Sequence, residues 1–256
     1  MLVHASLEHA FLALRAAPPS ASVAERRALA EAAALAHAAP ERATPLRREA
    51  ILAAVRDALA VVDVDLASGD AGAFRLAERR FGAGQPAPWG PLRLDPPAGA
   101  GEPPIWVDGQ IDRLDAATDG RWVRVVDYKT GKLPPKKDEH VRSLQLALYA
   151  DAARRAGRGP DDGGEIAARP IEVAARYVEI KRGAARTRDV TIDDEALDAA
   201  RTSTRRVVLR LWSGDVAPRT IDARMCKRCD ARDVCRKPAV AAVDDEAEAG
   251  DDGGAR

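Results

Sequence analysis

Apolar positions change period along this chain, and the changes divide it into elements. Over residues 4–16 they recur at the spacing of an amphipathic helix, and up to residue 67 the chain stays rich in Ala and Leu. Residues 4–16, 21–38 and 45–67 read as Ala/Leu-rich helices, interrupted at Pro18-Pro19 and between Pro40 and Pro45. Residues 71–81 read as a further short helix, and the Pro- and Gly-rich stretch 83–104 as a loop around a short strand at Leu92 to Leu94. From residue 105 the pattern becomes that of strands. Ile105, Val107 and Ile111 share one side of a first run, and Trp122-Val123-Arg124-Val125-Val126 begins a second. Asp119-Gly120 between them is a strong hairpin signal. Residues 140–156 read as a helix, Gly157 to Gly164 as a flexible turn, Ile171 to Ile180 as an alternating strand, Asp189 to Ile192 as a shorter one, and 194–213 as a helix. Strands interleaved with helices and no internal repeat predict one α/β domain.

The second strand run ends in Asp127-Tyr128-Lys129-Thr130-Gly131. Alternation puts Asp127 and Lys129 on one face and Tyr128 on the other. A carboxylate beside an ammonium at a strand end suits a hard cation and a phosphate, and equally a solvated ion pair beside a turn at Gly131. The first run carries Gly109-Gln110-Ile111-Asp112-Arg113. If the two runs pair, Asp112 approaches Asp127, and two neighbouring carboxylates favour a cation between them. The plainer reading makes Asp112 an edge carboxylate paired with Arg113 or Arg124. Gln145 and Tyr149 lie one turn apart on one helix face. His4 opens the first helix.

Three cysteines stand near the C-terminus, Cys226, Cys229 and Cys235, in the spacing C-x2-C-x5-C. Two residues between thiolates let both reach one metal centre from a tight turn. An odd count and the absence of a secretory segment speak against a disulfide framework. Basic neighbours Lys227, Arg228 and Arg236 favour thiolates.

Formal net charge is zero, but residues 238–256 hold six acidic residues against Arg256 alone, leaving 39 basic and 34 acidic residues before them. That stretch reads as a disordered acidic tail. The mild positive balance elsewhere permits a locally basic nucleic-acid channel. Lys132, Lys136 and Lys137 are candidate phosphate contacts or plain solvated charges; Arg206 and Arg210, one helical turn apart, read as a basic stripe or, more commonly, a solvated face. No stretch is apolar enough to span a membrane and no signal peptide is visible, so the expectation is a cytoplasmic protein. No phosphate-binding G-x-x-x-x-G-K-[ST] motif occurs, so any strand unwinding would come from another protein.

Taken in order, His4, Gly109-Gln110-Ile111-Asp112-Arg113, Asp127-Tyr128-Lys129-Thr130-Gly131 and Gln145-Leu146-Ala147-Leu148-Tyr149-Ala150 resemble the RecB-type nucleases. These belong to the PD-(D/E)xK phosphodiesterase superfamily and include the nuclease domains of RecB and AddB and small CRISPR-associated exonucleases. The resemblance covers residues 1–237 as one nuclease domain. It implies a restriction-endonuclease-like core, a central mixed β-sheet flanked by helices. It implies Mg²⁺ or Mn²⁺ held by His4, Asp112, Asp127 and the carbonyl of Tyr128, with Lys129 catalytic and Gln145 and Tyr149 lining the site. Glu78 sits where such proteins often carry an acidic residue. The activity implied is cleavage of DNA phosphodiesters, as an exonuclease in repair or recombination, beside a helicase or recombination subunit. Cys226, Cys229 and Cys235 resemble the C-terminal part of a 4Fe-4S staple whose fourth cysteine lies upstream of the histidine. No fourth cysteine is present, and His4 is three residues from Met1. The expectation is therefore that the natural chain begins earlier; the other reading is a three-cysteine cluster or a zinc. Two further readings belong to other classes: a catalytically inactive DNA-binding or scaffolding module, and a zinc-binding interaction module built on the cysteines.

Overall fold

Two antiparallel strands, β4 (Gly109–Ala116) and β5 (Trp122–Lys129), form the centre of the fold, with Arg113 opposite Val126 and Asp115 opposite Arg124. A computed structural model of the chain describes residues 2–40, 43–84, 89–117, 122–131, 133, 144–156 and 172–215. Two compact units divide the chain, Met1–Arg205 and Arg206–Arg256, and every element of the sheet lies in the first.

The sheet runs β1-β4-β5-β6-β7, with β1 spanning Phe74–Phe81, β6 Glu172–Lys181 and β7 Ala184–Val190. All its pairings are antiparallel except β5 with β6. That parallel pair is joined through helix α4 (Leu144–Ala156), as a parallel connection requires. Two short strands, β2 (Leu92–Leu94) and β3 (Ile105–Val107), make a separate ribbon. Helices α1 (Leu2–Ala16), α2 (Val23–Ala38) and α3 (Pro45–Ser68) form a layer whose Leu7, Phe11, Leu14, Val55 and Val62 bury against Phe74, Val126, Tyr128, Val178 and Ile180. Val123 and Val125, on the other face of β5 by alternation, are also buried, and α4 packs against β5 and β6. Helix α5 (Asp194–Trp212) follows; Arg205 on it is buried and donates to the carbonyls of Leu94 and Pro103 beside the ribbon. The mixed sheet flanked by helices is the expected α/β, restriction-endonuclease-like architecture. No described helix is long and apolar enough to cross a membrane.

Three expected elements differ. Residues 71–81, read as a helix, form a short 3-10 turn at Asp70–Ala73 and then strand β1. The pairing slips between Phe74 and Leu76, and Glu78 has φ +48°, so the two-residue alternation is broken twice and helix formers fill the gaps. The first strand run is two strands. The chain turns at Asp108, whose Oδ1 accepts the Ala83 N–H at 3.2 Å, and β3 leaves to pair with β2. The last strand spans Ala184–Val190 rather than Asp189 to Ile192. It follows β6 through Arg182-Gly183, both at positive φ, the two-residue turn that suits strand twist. The hairpin turn at Asp119-Gly120, the lysines 132, 136 and 137, the turn at 157–164, Cys226, Cys229, Cys235 and the acidic tail lie outside the described residues.

A chain of opposite charges runs beneath the sheet. Arg113, on β4, is 2% exposed; its Nη1 donates to Asp65 of α3, its Nε to Asp115 Oδ1 at 2.6 Å, and its guanidinium lies 4.1 Å from the centre of the Phe11 ring. Asp115 also takes Arg124 at 2.7 Å, and Arg124 and Arg176 both reach Asp70. Burial works against the charge on Arg113, but Asp115 and Asp65 overcome it and hold its pKa well above the ordinary arginine value. Burial likewise pushes the Asp65 carboxyl upward, against the pull of Arg113. Removing one member strands its partners in a dry interior. Arg113→Met is expected to cost about 3–5 kcal/mol, read as a lower urea midpoint at unchanged slope.

Candidate active site

The site grows from where β1, β4 and β5 run side by side. Ala77 is opposite Arg113 and Arg79 opposite Ile111, which leaves Glu78 across from Asp112. Because Arg113 pairs with Val126, Asp112 in turn stands beside Asp127. Asp112 Oδ2 accepts the backbone N–H of Tyr128 at 2.9 Å, so the two strands are tied at this point by a side chain.

The N-terminal turn of α1 brings in His4. Its Nδ1 lies 3.4 Å from Glu78 Oε1 and 3.5 Å from Asp112 Oδ1. One ligand atom each from His4, Glu78 and Asp112 falls within 4.8 Å of the others. The bonds to Asp112 and then Glu78 raise the His4 pKa to about 9. His4 also meets the Tyr128 ring edge-on at 5.6 Å. An environment that holds a proton on imidazole this firmly also favours a divalent cation in the proton's place.

Asp127 faces a second group. Its side chain is 2% exposed, and burial raises its pKa, with Lys129 opposing. Lys129 Nζ donates to Asp127 Oδ1 at 3.1 Å and to Gln145 Oε1 at 3.0 Å. It lies 2.8 Å from Asp127 Oδ2 as well, but off the hydrogen-bonding direction, so that buried oxygen has no hydrogen-bond partner. Gln145 Nε2 donates to Tyr149 Oη at 3.2 Å. Asp127, Lys129, Gln145 and Tyr149 thus form one hydrogen-bonded string from β5 to α4.

The plainer reading of Asp112 does not hold: Arg113 and Arg124 both turn to Asp115. Tyr128 separates from its neighbours as alternation predicted, its ring buried and its phenol pushed upward first by burial. Glu78 joins His4 and Asp112 directly. Its sequence signal was position alone, because the strand that carries it does not read as a strand. Gly131 stands in open space without a positive φ, so the turn there does not draw on glycine's special freedom. Gly109 is the glycine this site requires. A Cβ there would sit 2.5 Å from the Phe81 ring and 3.1 Å from Tyr149, and Phe81 meets Tyr149 edge-on at 5.8 Å.

The mixed sheet thus carries an acidic cluster around His4 and, on β5, a lysine bonded to Asp127. Residues 1–236 match the PD-(D/E)XK nuclease superfamily, and the chain belongs to it. Over 72 residues it is 40% identical to one of the subunits of an ATP-dependent helicase/deoxyribonuclease from Symbiobacterium thermophilum. That match covers 26% of this chain and 6% of the relative's length. It supports a RecB-type nuclease.

The close packing at Gly109 gives a sharp expectation. Gly109→Ala forces Phe81 and Tyr149 aside and should destabilise the fold by about 1–3 kcal/mol, seen as a lower melting temperature.

Proposed function

We propose that the chain is a metal-dependent DNA nuclease, an exonuclease of DNA repair or recombination, with its active site at His4, Glu78, Asp112, Asp127 and Lys129. The observation that carries this reading is the gathering of His4, Glu78 and Asp112 within 4.8 Å beside a buried Asp127 oxygen that lacks a hydrogen-bond partner. Three carboxylates and one imidazole are a donor set for Mg²⁺ or Mn²⁺, and the imidazole tilts it toward Mn²⁺. The Tyr128 carbonyl supports a further ligand. In a strand, N–H and C=O of one residue point to the same side, and the Tyr128 N–H already points at Asp112. Bound there, the metal supplies a water of lowered pKa and withdraws charge from the scissile phosphate.

The chain's own groups do the rest. Asp112 and Glu78 fix the imidazole of His4 between them. Lys129, anchored by Asp127 and Gln145, presents an ammonium that orients the attacking water and offsets charge as it builds on the phosphate. Gln145 keeps Lys129 in place, and Tyr149 keeps Gln145 in place. DNA is the substrate, and the likeness to part of a helicase/deoxyribonuclease supports a helicase or recombination partner. Residues 1–237 form the nuclease domain in this reading, and Cys226, Cys229 and Cys235 hold an iron–sulfur or related metal centre.

Three outcomes test this. Purified protein should cleave end-labelled linear DNA with Mg²⁺ or Mn²⁺ and not with EDTA, and should spare covalently closed circles; cleavage of circles would remove the exonuclease assignment. Asp127→Asn and Lys129→Met should each slow cleavage by about a hundredfold or more while far-ultraviolet circular dichroism stays unchanged, and full activity in either sinks the site. Anaerobically purified protein should be brown and contain iron, and Cys226→Ser should discharge the colour; colourless protein containing zinc would replace the cluster by a structural zinc.

A further inference from the structure

One polar side chain beside the acidic cluster has no part in the mechanism above. On one face of the β1–β4 pair, Arg80 stands directly opposite Gln110, one step along from Glu78 and Asp112. Arg80 Nε donates to Gln110 Oε1 at 2.9 Å. Gln110 Nε2 donates to Glu78 Oε2. Glu78 Oε1 is left turned to His4 Nδ1.

A primary amide has a carbonyl oxygen that only accepts and a nitrogen that only donates. Arg80 can only donate, so it claims the oxygen and forces the nitrogen toward Glu78. Were the amide reversed, its oxygen would face a carboxylate and its nitrogen a guanidinium, and both bonds would be lost. The arrangement also bears on the backbone. Glu78 has φ +48°, a left-handed conformation in the middle of a strand that a residue with a side chain adopts only when its surroundings impose it. The Gln110 bond holds the side chain that this backbone aims at the cluster.

We infer that Gln110 is a positioning residue for the cation site: it fixes one oxygen of Glu78 so that the other faces His4 and Asp112, and Arg80 sets the direction of its amide. This rests on the metal-site reading proposed above. Groups that orient a ligand from behind commonly change metal affinity by about 10–100-fold when removed.

The test is calorimetric titration of Mn²⁺ into the full chain, with thermal unfolding of each variant. Gln110→Met keeps the side chain's length and removes both hydrogen bonds. It should weaken Mn²⁺ binding by about tenfold or more at an unchanged melting temperature. Cleavage should fall at low Mn²⁺ and recover at saturating Mn²⁺. Arg80→Met should weaken binding less, and the double variant should match Gln110→Met alone, because Arg80 acts only through Gln110. Wild-type affinity in Gln110→Met, or additive losses in the double variant, overturns the positioning role. Should Gln110→Met melt early, Arg80→Met decides alone, and unchanged affinity there overturns it. Asp112→Asn separates the two levels. If it abolishes Mn²⁺ binding and Gln110→Met does not weaken it, only the positioning role fails. If wild type binds Mn²⁺ no better than Asp112→Asn, the metal site fails and the positioning role with it.

Discussion

The Arg113 guanidinium, buried between Asp65 and Asp115 and over the Phe11 ring, fixes the height at which the central strand meets the helices. Such a cluster is a poor source of net stability, since burying the charges costs about what their attraction returns. Its value is in what it forbids. Arg113 is sunk into the helical layer, while Asp112, one residue earlier, meets His4 at the start of that layer's first helix. A one-residue slip of β4 would leave Asp65 unpaired and carry Arg113 out of its place between the two carboxylates. The ionic clamp therefore enforces the register on which the meeting of His4, Glu78 and Asp112 depends. Asp115 extends the constraint, because Arg124 binds it from β5 and carries the charge chain on to Asp70 and Arg176.

Close packing does for the far side of the site what charge does for the near side. With no side chain at Gly109, the Phe81 ring lies against β4 and Tyr149 lies against Phe81. Tyr149 accepts from Gln145, and Gln145 accepts from Lys129. A residue's absence at position 109 is thus linked through a run of side chains to the orientation of an ammonium at position 129. The glycine, the glutamine and the tyrosine are parts of one brace, drawn from a strand and a helix well separated in sequence.

How much of this was legible follows from how local each signal is. The β4–β5 pairing was readable because an apolar run and a D-x-K ending leave little choice of face, and α1 to α3 because long Ala/Leu-rich runs are punctuated by prolines. Asp112 beside Asp127 followed from the pairing alone. Strand β1 was hidden because a slipped pairing and the left-handed Glu78 break the alternation that marks strands, while Ala77, Glu78 and Arg79 favour helix on their own. Asp65 was hidden for another reason. It sits in the helical run Val61-Val62-Asp63-Val64-Asp65, where nothing local distinguishes the buried acid from half-exposed Asp63. Only the partner 48 residues away gives it a role.

Asp112 is where these constraints converge. One carboxylate oxygen accepts the Tyr128 N–H and the other faces His4. The first contact holds β4 to β5 at the level of Asp127 and Lys129; the second belongs to the cluster with Glu78. The two halves of the site, the acidic cluster reached from α1 and β1 and the lysine string reached from α4, therefore share a single carboxylate. Moving either half moves the other, which is why a buried arginine on the adjacent residue is worth its desolvation: it holds still the strand on which both halves hang.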